Sequence, residues 1–128
     1  MAVSQEVLEH ATDLFGALGP LRTGRMFSGV ALYAEEDVMF AMIASSGTIY
    51  MKSDDSTLAQ FEAAGSLPFT YTRATGQRQV TSLMSLPDSA ADDPDEAAQW
   101  ARLSLGPARA AAEKKRAEKA RKAARKAS

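Results

Sequence analysis

The chain has 128 residues, 45% of them hydrophobic, which is about one domain with enough apolar material for a core without a metal or disulfide staple. It has no cysteine, which excludes disulfide scaffolds, thiolate metal sites and thiol catalysis and agrees with a reducing, cytoplasmic setting. The net charge of −1 hides an asymmetry: up to Ala108 fourteen acids face six basic residues, and from Arg109 onward nine basic residues face Glu113 and Glu118.

The opening stretch has no basic segment followed by an apolar one, so no signal peptide is expected. No apolar run approaches the ~20 residues that span a bilayer, so no membrane contact is expected either. Ser4 is placed to cap a first helix, with Val7, Leu8, Ala11, Leu14, Phe15 and Leu18 along one face and Gly19-Pro20 as its stop. The sole histidine, His10, lies between core positions without a Ser, Cys or acid cluster beside it, and reads as a helix-surface residue.

Residues 25–52 form the densest run of strand formers and predict a three-stranded antiparallel meander. A first strand spans about residues 23–33, with Gly29 inside it as a bulge or a close backbone approach. After the turn at residues 34–37, residues 38–44 are nearly continuously apolar, as in a strand covered on both faces. Residues 45–47 make a second turn and residues 48–52 a third strand. The methionines Met26, Met39, Met42 and Met51 fall on strand alternation and read as core filling.

A short second helix follows, with Asp54, Asp55 and Ser56 at its start, Leu58 and Phe61 on its buried face and Gly65 as its end. Leu67-Pro68 leads to a strand over residues 69–73, with Phe69 and Tyr71 inward. A hairpin turn at residues 74–77 leads to a fifth strand that Pro87 terminates. The acidic loop from Asp88 lacks the glycine and distal glutamate of a calcium loop. It reads instead as a helix start, with Asp93 as cap, Pro94 first in the helix and Glu96 closing a capping box. Ala97, Trp100 and Ala101 then face inward with Leu103 or Leu105, Trp100 sealing the sheet against the first and third helices.

Gly106-Pro107 is expected to break or kink that helix. This divides the chain into an α+β domain at residues 1–106 and a basic Ala/Lys/Arg-rich tail at 107–128, helical or disordered. In the tail, Ala110, Ala117, Ala120, Ala124 and Ala127 make a weakly apolar stripe. Two readings stay open: a solvated helix, or a sequence-blind nucleic-acid contact through Lys114, Lys115, Arg116, Lys119, Arg121, Lys122, Arg125 and Lys126. No aromatic interleaves these cations, which argues against a base-stacking single-strand site.

The segments RMFSGVALY, VMFAMI, IYMK, FEAAGSLPFTY and SLMSLP, with the PDEAAQWARLSL ending, together resemble the N-terminal domain of the TfoX/Sxy family, over roughly residues 7–105. The positions that carry the resemblance are Arg25, Met26, Phe27, Gly29, Tyr33, Phe40, Lys52, Phe61, Gly65, Pro68, Phe69, Tyr71, Pro87 and Trp100. Ser28 and Ala31 stand where the family usually has glycine, and Leu83 and Met84 where it tends to have paired tyrosines. The resemblance implies a bacterial single-domain member with a secretion-chaperone-like fold. Its order would be helix, three strands, helix, two strands, helix, around a five-stranded antiparallel sheet, as the periodicity also predicts.

What the resemblance implies about function is a regulatory or protein-binding module related to competence regulators. No nucleophile set, paired carboxylates or phosphate loop is visible, so neither catalysis nor a cofactor or metal is expected. The expected partners are an unidentified protein, weakly bound nucleic acid through the tail, and a second copy of the chain, since strands apolar on both faces present surface for a homodimer.

Overall fold

The computed structural model describes residues 3–26 and 28–127. Its elements run α1 (Gln5–Leu14), β1 (Arg22–Met26), β2 (Gly29–Ala34), β3 (Val38–Ile43), β4 (Ile49–Lys52), α2 (Leu58–Ala63), β5 (Pro68–Arg73), β6 (Gly76–Ser85) and α3 (Pro94–Ala127). Short 3-10 turns at Gly16–Leu18 and Asp88–Ala90 precede β1 and α3. The fold is α+β, with one antiparallel sheet in the order β1-β2-β3-β4-β6-β5.

The sheet has six strands, not five. The segment expected to be one strand over residues 23–33 is a hairpin, in which Met26 pairs with Gly29 across a two-residue connection at 27–28. Phe27 lies outside the described residues. Such tight turns are ordinarily marked by Asn-Gly, Asp-Gly or Gly. Phe-Ser carries no such mark, and the apolar alternation runs straight through it.

The close approach foreseen at Gly29 is real. A β-carbon there would collide with the carbonyl oxygen of Ile43 and stand 3.1 Å from the Ala44 α-carbon. One strand farther in, Leu32 pairs with Ala41 and Tyr33 with Met39, so Phe40 is the extra residue of a bulge. Phe40 meets the ring of Phe15 edge to face at 5.3 Å, and both are fully buried. Leu32, Ile43 and Met51 join them in the core under α1 and α3.

The pairing Gly24–Ala31–Met42–Tyr50 defines the opposite face. Ala31 and Met42 are fully buried there within the single chain. Tyr50 packs on Phe69 at 5.1 Å, and Phe69 stacks on Tyr71. A groove of about 380 Å³ on this face is lined by Ser28 of the first hairpin and by Phe69 of β5, four strands away, so the sheet curls. Phe69 and Tyr71 are half-buried in that curl, and Thr70 and Thr72 point outward as expected.

Ser4 caps α1 by accepting from the Val7 amide. Asp93 caps α3 by accepting from the Asp95 and Glu96 amides. The reciprocal half of the capping box is absent. Glu96 accepts instead from the Ser89 hydroxyl and, at 3.2 Å, from Trp100 Nε1. A carboxylate with two side-chain donors has no need of the backbone amide, which itself donates to Ala90. Trp100 is half-buried against the core, and its ring lies on Phe61 of α2 at 4.8 Å, so it joins α3 to α2.

No break occurs at Gly106-Pro107, and α3 is one helix of 34 residues. Proline disfavours a helical predecessor partly through that residue's β-carbon, which Gly106 lacks. Pro107, Ala108 and Ala112 are buried, so the helix stays docked beyond the expected boundary at 106/107. Ion pairs add to this: Arg109 takes Glu35 through both carboxylate oxygens, and Arg116 takes Asp37. Ending the chain after Gly106 should cost about 2–4 kcal/mol, from lost burial of these small side chains plus modest surface pairs. Ending it after Glu118 should cost no more than about 0.5 kcal/mol, because residues 119–127 are exposed. Urea denaturation of both truncations checks this, and equal midpoints would contradict the docking.

Candidate functional site

α3 changes chemistry along a single face. Ala97, Ala101, Ser104, Ala108 and Ala112 recur at three- and four-residue steps and are buried. The same steps continue through Lys115, Lys119, Lys122 and Lys126. The helix therefore docks by a stripe of small residues that turns into a stripe of lysines beyond Ala112. From residue 113 to 127 every position is exposed, and beyond Arg116, whose ion pair reaches Asp37, the helix continues as an overhang of about 16 Å at 1.5 Å per residue. The alanine stripe at positions 110, 117, 120, 124 and 127 lies on the other side of the helix and is exposed throughout.

The eight cations singled out from the sequence thus share one exposed segment, but not one role. Arg116 is committed to Asp37. Lys114 and Lys115 line a groove of about 480 Å³ whose other wall is Arg25, Met26, Tyr33, Met39 and Lys52 from the sheet. Lys119 and Lys122 line its continuation, again with Tyr33 and Asp37. Arg121 and Arg125 line a shallow hollow farther along the helix, and Lys126 is exposed beyond it. Two sets of residues with separate origins in the sequence, the strand motif and the basic tail, meet in the first groove.

The electrostatics follow from this geometry. Lys52 is held below the usual lysine range first by burial and then by repulsion from Lys115. Glu35 is held below the usual carboxylate range by its hydrogen bond from Arg109, whose own value is raised by the same contact. Asp54 is lowered by the Ser56 hydroxyl, and this pairing shapes the turn before α2. Ser53 and Thr57 are buried and bonded to each other at 3.0 Å.

The remaining motif residues support the scaffold. Phe40 and Phe61 are core, Gly65 ends α2 with a φ of 87°, Pro68 opens β5, and buried Pro87 leads into the turn before α3. Gly29 and Met26 line the groove on the curled face with Phe69 and Tyr71. His10 contacts the Ala91 carbonyl at 2.9 Å and Asp92 at 3.7 Å, tying α1 to the loop before α3. Among the described residues no three His, Asp or Glu side chains converge as metal ligands, and no helix is long and apolar enough to cross a membrane.

Reasoning from sequence missed Glu35, Asp37 and Arg109, whose ion pairs fix the angle of the overhang. Their only signal was an acidic turn early in the chain and a basic tail late in it.

These features define an α+β domain whose sheet is backed by one long helix with a basic overhang. The model of the TfoX N-terminal domain matches residues 13–108, and the chain belongs to that family. The match ends inside α3, before the overhang. The sequence matches no curated protein.

Proposed function

We propose that this protein is a non-enzymatic regulatory module that acts by binding, with the α3 overhang as the arm that contacts duplex nucleic acid. Family membership supports the regulatory part, because the TfoX N-terminal domain suggests a regulatory, competence-related module. The observation that carries the nucleic-acid part is the exposed segment 117–127, which holds Lys119, Arg121, Lys122, Arg125 and Lys126 against Glu118, beyond the two ion pairs that tie the helix to Glu35 and Asp37. Lysine and arginine at phosphates release counterions whatever the base sequence, so the contact is sequence-blind. The acidic body repels a polyanion and limits the footprint to the overhang.

Fluorescence anisotropy with a labelled duplex tests this. The intact protein should bind with a dissociation constant of about 10⁻⁴ to 10⁻⁶ M at physiological salt, weakening roughly a hundredfold between ~50 and ~200 mM. A variant with Lys119, Arg121, Lys122 and Lys126 all changed to Gln should lose most of that salt dependence, since each phosphate contact contributes about 0.9 to the slope. Equal binding by the variant would refute the assignment. A protein partner rests on the family alone, and affinity capture with the same variant as control separates partners of the overhang from partners of the body.

A further inference from the structure

Lys52 sits at the end of β4, half-buried, with its cross-strand neighbour Leu83 buried. Among the described residues no carboxylate lies within ion-pair distance of Lys52 or of Lys115, which faces it from α3. A half-buried lysine with no carboxylate partner and a second cation facing it is a cost to the fold, since lysines are rarely desolvated unless paired; Lys115 itself is exposed. The groove they share also contains Arg25 and Lys114. Of its two acids, Asp37 is already neutralised by Arg116, and Glu118 lies on the helix beside Lys114. Its remaining wall is apolar, made by Tyr33, Met26 and Met39 with Ala108, Ala111 and Ala112. At about 480 Å³ it falls within the range of small-molecule sites.

We propose that this groove binds a small organic phosphate, with its phosphoryl group between Lys52 and Lys115 and its organic body laid on Tyr33 and Met39. A dianion there supplies the counter-charge that both lysines lack, and the apolar wall accepts a flat or aliphatic group. Burial and the neighbouring Lys115 hold Lys52 below the usual lysine range, and a dianion between the two lysines opposes both effects, so its binding should favour the charged form of Lys52. This site is separate from the duplex contact of the outer overhang, and either can fail without the other.

NMR titration of the full chain with adenosine 5′-monophosphate and with inorganic phosphate is the test. Saturable shifts at Lys52, Lys115 and Tyr33 are expected, with the nucleotide binding at about 0.1–1 mM and phosphate alone more weakly. Lys52→Met should weaken the nucleotide at least tenfold without lowering the melting temperature, because it removes a desolvated charge and keeps the bulk. Lys115→Gln, at an exposed position, should do the same with the fold untouched. The variant with Lys119, Arg121, Lys122 and Lys126 replaced should bind the nucleotide normally while losing the duplex. The proposal falls if no saturable shift appears by about 10 mM, or if Lys52→Met and Lys115→Gln bind as well as the parent. It also falls if Lys52→Met weakens a short duplex as much as the nucleotide, which would make the lysine pair a backbone contact for nucleic acid.

Discussion

Gly29→Ala should destabilise the protein by about 3 kcal/mol, the top of the usual overpacking range and a large share of the ~5–15 kcal/mol that holds a domain of this size. The added carbon meets main chain: the Ile43 carbonyl oxygen, its carbon at 3.0 Å and the Ala44 α-carbon. A side chain could rotate away, but these atoms belong to β3 and the residue after it, and β3 pairs with β2 next to Gly29 through Val30–Ile43. Relief therefore means parting the two strands at the start of their ladder. Gly24→Ala is the internal control. Its new carbon would lie 3.1 Å from the edge of the Tyr33 ring, which can shift by a few tenths of an ångström. A cost of about 1 kcal/mol is expected there. Urea midpoints decide the matter, and a Gly29→Ala shift worth less than about 1 kcal/mol would mean that the strands are not so close.

The sequence announced this contact because a glycine amid strand formers marks a bulge or a close backbone approach. It did not announce the hairpin two residues earlier, because a connection through Phe27 and Ser28 leaves the apolar alternation intact. Three helices, the order of the later strands and the central place of residues 38–43 were legible from periodicity and turn residues. The groove was not. Lys52 is a lone cation at a strand end, and Lys115 is one of many in a helical tail. They meet only because α3 continues through Pro107, and the tendency of proline to end helices pointed the other way. The Glu35–Arg109 and Asp37–Arg116 pairs join residues more than seventy positions apart, a separation at which composition carries no pairing information. Residues 38–44 read as covered on both faces, while the two-faced apolar character of the first strands reads as surface for a second copy; Ala31 and Met42 on that face are buried within one chain, where the sheet curls.

Phe61→Ala should cost about 3–5 kcal/mol, and more than Trp100→Ala, although tryptophan is the larger residue. Phe61 is fully buried, whereas Trp100 is half-buried with its indole nitrogen bonded to Glu96 at the surface. The cost follows the area removed from water and the cavity left behind, so truncating Trp100 should cost only about 2 kcal/mol. The two rings are 4.8 Å apart, which adds a coupling of about 0.5–1.5 kcal/mol that a double-mutant cycle would recover. Because Trp100 is the sole tryptophan, its fluorescence reports on the same contact. Removing the Phe61 ring should let water reach one face of the indole, so native-state emission should shift to the red before any unfolding. A Phe61→Ala protein with unchanged emission and a midpoint within about 1 kcal/mol of the parent would show that α2 is held to the sheet by something other than this aromatic pair.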